Sequence, residues 1–137
     1  MSDITKSLET LIVSPPEENW VLLEKTGGVR VNTLYENPET GASISLLDIP
    51  KGAGIPVRHK HASNQFMYCV KGTYEYLEPD SLILQGNSFY WNPKGSYHGP
   101  TRAIEDCLML EIYDGPHYDE IPSYHTEDTV GKLSSES

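Results

Sequence analysis

Six stretches of the chain set aliphatic and aromatic residues close together between turn formers, and they predict the elements. Residues 29–35 (VRVNTLY), 43–49 (SISLLDI), 65–71 (QFMYCVK), 73–77 (TYEYL), 88–91 (SFYW) and 107–113 (CLMLEIY) read as strands, because β-branched and aromatic side chains suit a pleated, half-buried surface. The segments NPETG, PKGAG, EPDS, LQGN and NPKG separate them and carry the residues that turns require. Helical periodicity is confined to about residues 3–12, closed off by Pro15 and Pro16. Many short strands at this spacing predict an all-β sandwich or barrel. No internal repeat signals a second copy, and 137 residues suit one domain.

Charge narrows the partners. Ten basic residues against twenty acidic ones give a net charge of -10, which repels phosphate backbones and anionic lipid surfaces. Neither a nucleic acid nor a membrane partner is expected. The N-terminal stretch has no apolar run of signal-peptide length and no later run could span a bilayer, so the expected location is cytoplasmic. The two cysteines, Cys69 and Cys107, fall inside strand-like runs and read as small buried hydrophobes.

The chemistry gathers on histidines. In a strand, residues two apart share a face and lie about 6.5–7 Å apart, so His59 and His61 can turn their imidazoles to one ion while Lys60 points away. A third candidate, His98, follows a Pro-x-Gly turn in GNSFYWNPKGSYHG. His117 and His125 lie in a Pro-containing acidic segment without strand alternation and read as surface residues. Glu111 alternates with Met109 and Tyr113, which leaves open whether it faces a cavity or the exterior.

These residues carry a family resemblance. Gly54, His59, His61, Gln65 and Gly72 resemble the first cupin motif, and Gly86, Pro93, Gly95 and His98 resemble the second, over about residues 43–113. The resemblance implies a single-domain cupin, a jelly-roll-like β-barrel over residues 20–118, with an N-terminal extension over 1–19 and an acidic segment with a flexible tail over 119–137. It also implies that His59, His61 and His98 ligate a metal. Gln65 stands where the family has a ligating glutamate, and Arg102 where it often has an asparagine. With three neutral ligands a divalent ion keeps its full charge, which favours an anionic co-ligand supplied by a substrate. The nitrogen-rich shell suits Fe(II), with Zn(II) an alternative. Gln65 is either a weak oxygen ligand or, preferably, the group that orients a bound water or substrate oxygen.

Within the cupins the chain resembles a three-histidine group containing the acetylacetone-cleaving and dihydroxyacetophenone dioxygenases and the cupin half of ChrR-type anti-sigma factors. The features that carry this are ETGASISLLDIPKGAG, KGTYEY and EIYDGPHYDE. It implies an Fe(II)-dependent dioxygenase that uses O2 to cleave a C–C bond in a small enolisable or phenolic carbonyl compound. A non-catalytic metal- or ligand-binding sensor, or a metal-assisted lyase or isomerase, are the alternatives. Arg102 is a candidate for a positive charge near a substrate oxyanion, or else a rim residue paired with Glu105 or Asp106; Glu75 is a candidate supporting acid, or else faces solvent. Tyr68, Trp91 and Tyr97 are candidates for the pocket mouth. A homodimer or higher homo-oligomer is expected, with residues 11–35 able to supply an edge.

Overall fold

Among the described residues, nine strands follow a turn of 3-10 helix at Glu17–Asn19. They are β1 (Val21–Leu22), β2 (Arg30–Glu36), β3 (Ser43–Ile49), β4 (Gln65–Lys71), β5 (Thr73–Tyr76), β6 (Leu82–Gln85), β7 (Ser88–Asn92), β8 (Thr101–Ala103) and β9 (Cys107–Tyr113). The structure is a computed structural model and describes residues 10–78 and 80–134. Strands β3, β4 and β9 coincide end to end with the expected runs, and the other three expected strands shift by a single residue at one or both ends. Strands β1, β6 and β8 were not foreseen. Of the expected helix, residues 3–9 lie outside the described residues, and residues 10–12 have no regular structure.

The strands form two antiparallel sheets, one in the order β1-β2-β3-β9-β4-β7 and one in the order β6-β5-β8. Between them lies a core that includes Val29, Ile49, Tyr74 and Met109, with both cysteines free and fully buried as small apolar fillers. Side chains facing inward across the larger sheet fall into rows. One row, Val31, Leu47, Met109 and Cys69, is apolar. The next, Thr33, Ser45, Glu111, Met67 and Tyr90, is mixed, and the last, Ser43, Tyr113, Gln65 and Asn92, is polar. The barrel interior therefore has an apolar end and a polar end, and the polar end is where hydrogen-bonding chemistry can be placed.

Two motif glycines explain how the chain closes around this interior. A Cβ on Gly54 would run into the backbone of Thr101, and one on Gly72, whose φ is 96°, into the backbone of Asp106 and Cys107. Only glycine allows these approaches, which bring the segment before the histidines against β8 and turn β4 into β5.

After β9 the chain does not leave the barrel. Tyr118, Tyr124 and Val130 are buried in the core, the Tyr124 carbonyl accepts from the Glu24 amide at 3.2 Å, and Tyr118 bridges to Leu133. Lys132 Nζ donates to the Glu39 carbonyl at 2.6 Å. Residues 132–134, within the stretch expected as tail, are thus docked, and 135–137 lie outside the described residues. Among the described residues no helix is long and apolar enough to cross a membrane.

Candidate metal centre

His59 and His98 form an isolated antiparallel bridge, each amide donating to the other's carbonyl at 2.8 Å, so the His-Lys-His segment is extended without being a full strand. Alternation still operates: Lys60 is exposed and stands 5.5 Å from the Tyr97 ring, while His61 turns inward. His98 is held from the side by Tyr76 and Tyr90, which stack on each other at 4.4 Å and on the imidazole at 5.4 and 5.9 Å. One ligating atom from each of His59, His61 and His98 lies within 4.8 Å of the other two.

The hydrogen bonds decide which nitrogens converge. His59 Nδ1 donates to the Val57 carbonyl at 2.8 Å and His61 Nδ1 to the His117 carbonyl at 3.2 Å, and His98 Nδ1 lies 2.8 Å from the Tyr90 hydroxyl. The carbonyls fix the proton of His59 and His61 on Nδ1 and leave Nε2 as the lone pair, and His98 presents Nε2 in the same way when its Nδ1–H donates to Tyr90. His61 Nε2 and His98 Nε2 face each other at 3.2 Å. Where His98 carries its proton on Nδ1 and donates it to Tyr90, two lone pairs face each other, an arrangement a cation between them relieves; where Tyr90 donates, His98 Nε2–H bonds to His61 Nε2 in the metal-free site. Nitrogen ligands at the usual distance around a tetrahedral ion are about 3.3 Å apart, so the donor set fits a divalent metal. Burial lowers the pKa of all three; it takes His98 to about 3, aided by the charge of His59, and holds His61 well below the ordinary value. They are neutral at pH 7, the form that ligates.

Beside the histidines sits a network of three buried groups. Gln65 Nε2 donates to Glu111 Oε2 at 2.9 Å and to the Tyr113 hydroxyl at 2.8 Å, and that hydroxyl donates to the same carboxylate oxygen at 3.0 Å. Gln65 Oε1 is buried without a partner, an acceptor left available to a cation or a donor. Glu111 faces the interior, resolving the ambiguity of its alternation, and burial raises its pKa above the usual carboxylate value.

These groups open onto one cavity of about 500 Å3. Its apolar wall includes Val29, Leu47, Ile49 and Met67, and its polar wall includes Ser43, Ser45, Gln65 and Glu111. His117 and His125 line it too, which corrects their reading as surface residues. His117 stacks on Tyr113 at 3.7 Å and its Nε2 pairs with the Ser43 hydroxyl at 2.8 Å, while His125 Nδ1 pairs with Thr129 Oγ1 at 3.0 Å. The segment that holds them covers the barrel mouth, an arrangement that no alternation in the sequence could report.

Other expected site residues lie elsewhere. Arg102 and Glu75 are directly opposed on the outer face of the smaller sheet and form an ion pair at 2.8 Å, so neither faces the cavity and the partner of Arg102 is neither Glu105 nor Asp106. Tyr68, Trp91 and Tyr97 are exposed on the outside, because their strand neighbours Met67 and Tyr90 take the inward positions and Tyr97 stacks under the Arg58 guanidinium at 5.0 Å. The residues that sequence reasoning missed at the site are Tyr90, Tyr113 and His117. For Tyr113 the signal was present in its alternation with Glu111.

Two antiparallel sheets enclosing three convergent histidines define a cupin. Within that class the chain belongs to the ChrR cupin-like domain family, which it matches over residues 8–117. Its fold is similar to the acetylacetone dioxygenase from Acinetobacter johnsonii, with 20% identity and a TM-score of 0.72 over 90% of this chain and 86% of that one. It is similar to KdgF from Halomonas sp., at 20% identity and a TM-score of 0.55 over 69% of this chain and 85% of that one. It is also similar to a chain in the complex of Rhodobacter sphaeroides SigE with the anti-sigma ChrR, with 26% identity and a TM-score of 0.55 over 69% of this chain and 49% of that one. No curated protein matches the chain in sequence.

Proposed function

We propose that this cupin is an Fe(II)-dependent dioxygenase that cleaves a C–C bond in a small enolisable or phenolic carbonyl compound. The supporting observation is that three neutral histidine nitrogens converge beside a half-apolar cavity, with a buried carboxylate, Glu111, hydrogen-bonded to Gln65 and Tyr113 beside them. His59, His61 and His98 hold the ion, which when bound supplies a Lewis acid for an enolate oxygen and a one-electron centre for dioxygen.

The remaining work falls to the chain's own residues. Glu111 takes the proton released when the substrate enolises; burial makes this carboxylate more basic than an exposed one, and the Gln65 and Tyr113 bonds fix the oxygen that they share. The partnerless Gln65 Oε1 accepts a hydrogen bond from a donor on the substrate or a bound water. Ser43 and His117 offer a second polar contact, and Leu47, Ile49 and Met67 take the apolar substituents and exclude water. Neither Arg102 nor Glu75 has a role in this scheme.

Family membership and the likeness to a chain of the SigE–ChrR complex favour a second reading, a non-catalytic metal- or ligand-binding sensor. Anaerobic reconstitution with Fe(II) followed by oxygen-uptake assays over β-diketones and hydroxyacetophenones separates the two. Uptake with a member of the panel is expected. Zinc held tightly with no uptake on any compound would transfer the site to the sensor reading. In either case His61→Ala and His98→Ala are expected to lose the metal, and wild-type metal content in these variants would sink the ligand assignment.

A further inference from the structure

Three charged residues line the cavity when its histidines are neutral: Glu36, Glu111 and Lys132. Glu111 belongs to the network beside the histidines, and the other two stand at the mouth, where the turn after β2 meets the residues that follow Val130. Lys132 is the one cation of the three. Its Nζ donates to the Glu39 carbonyl at 2.6 Å, and among the described residues it makes no ion pair, in a chain with twenty acidic residues. An ammonium carries three donors, so two remain for another acceptor. The residue is half-buried, and a cation partly withdrawn from water favours an anion beside it.

A second donor accompanies it. Asn37, directly after β2, accepts from the Glu39 and Thr40 amides at 3.0 and 3.4 Å through Oδ1, which commits the oxygen to the turn and leaves Nδ2 without a partner among the described residues. Asn37 lines the cavity as well. The turn is pressed onto the segment leading to His117, since a Cβ on Gly41 would stand 2.9 Å from the Pro116 nitrogen. From there the polar wall runs inward through bonded pairs: Ser43 Oγ meets His117 Nε2 at 2.8 Å, and the His117 carbonyl accepts from His61 Nδ1 at 3.2 Å. Lys132 and Asn37 therefore mark the outer end of a wall that has the metal ligands at its inner end, and the apolar row of the larger sheet lies at the end away from the mouth.

We propose that Lys132, with Asn37, binds a carboxylate on the substrate. The substrate class is then an enolisable carbonyl compound with an apolar group on one side of the reacting carbons and a carboxylate on the other, an assignment that rests on the carbonyl-cleaving function proposed above. The metal ion and Lys132 act in the same direction, one drawing an enolate oxygen and the other a carboxylate. A cavity of about 500 Å3 is about 10 Å across, which leaves a few methylenes between the two. Glu36 opposes the anion. It lies across from Ser43 and lines both the cavity and an adjoining groove rimmed by Glu18, Glu127 and Asp128. With carboxylates on that side, an anion is held at the mouth only by Lys132 and its neighbouring amide.

The test is calorimetric binding to the Zn(II)-loaded full chain, with zinc content measured for every variant. The probes are a β-diketone with a methyl group at one end and two methylenes leading to a carboxylate at the other, its methyl ester, and its trimethylammonium analogue. The acid is expected to bind about tenfold more tightly than the ester. In Lys132→Gln, which keeps a donor for the Glu39 carbonyl, the ratio should fall to about one, and in Lys132→Arg it should persist. Three results would overturn the assignment: acid and ester binding alike in the wild type, a preference for the acid that survives Lys132→Gln and so belongs to the metal, or tightest binding of the trimethylammonium compound. The first of these leaves the diketone function standing. Failure of all three probes to bind would instead remove that function, and the assignment of Lys132 with it.

Discussion

Both amide protons of Gln65 are spent on Glu111 and Tyr113, and this fixes which end of the side chain is oxygen. Turned over, Oε1 would face a carboxylate oxygen, lone pair against lone pair. The carboxylate that other cupins place among the ligands is therefore present but one hydrogen bond removed, with its charge carried by Glu111. Gln65→Glu would set two carboxylates about 3 Å apart, which cannot both ionise in a buried site. The variant is expected to lose about 1–3 kcal/mol of stability and to bind an anionic β-diketone about tenfold more weakly in the Zn(II)-loaded protein, followed by calorimetry. The exchange Gln65→Glu/Glu111→Gln restores one amide and one carboxylate to the pair, so its thermal stability should recover. Its affinity for the anion should not, because the charge then sits beside the histidines. Recovery of both would show that Gln65 matters for packing and not for charge.

At the scale of elements, the legible parts were those whose information is local. Strand β9 pairs with β3 on one side and β4 on the other over nearly their whole length, with turn formers at their ends, and the sequence marks both limits. β6 and β8 are short and lie among Pro, Asp and Gly, and only their pairing with β5 makes them strands. His59, His61 and His98 were readable because two lie in one extended segment and the third follows a turn. Alternation said that Met109, Glu111 and Tyr113 share a face but not which face is inside. The ordinary rule would have sent Glu111 outward, since this half of the sheet keeps its polar side chains inside. The segment from Pro116 to Val130 was misread for a different reason: it is buried by lying across the barrel mouth, which leaves no period in the sequence. Tyr124 anchors it, 1% exposed and 2.7 Å from the Tyr118 hydroxyl. Tyr124→Ala is expected to cost about 3–5 kcal/mol in chemical denaturation, and to loosen His59, whose ring Tyr124 meets edge-on at 5.7 Å. A loss under about 1 kcal/mol would mean that the segment rests on the barrel without packing into it.

For the whole molecule, burial of neutral histidines sets the response to acid. His117 is held down to about 3 and His125 to about 4, both chiefly by burial, and the three cluster histidines are lowered as well. An unfolded histidine takes up a proton near pH 6.5, whereas these do so only at lower pH. Between the two values the unfolded chain binds more protons, so stability is complete above about pH 6.5 and falls as the pH drops toward the folded values. His117 and His125 alone contribute a slope of about 3 kcal/mol per pH unit at its steepest. Glu111 acts in the opposite sense, because its raised pKa favours the folded state on acidification, but one carboxylate is set against five imidazoles. The metal-free protein is therefore expected to hold its melting temperature from pH 8 to 7 and to lose many degrees between pH 6.5 and 5.5. Divalent metal should raise the melting temperature most above pH 7, where no proton competes for the histidine nitrogens. Calorimetric scans of both forms over this range check the sign directly. A metal-free melting temperature that stayed level down to pH 5.5 would mean that these histidines are solvated in the folded chain, and would remove the basis for a dry, preformed site.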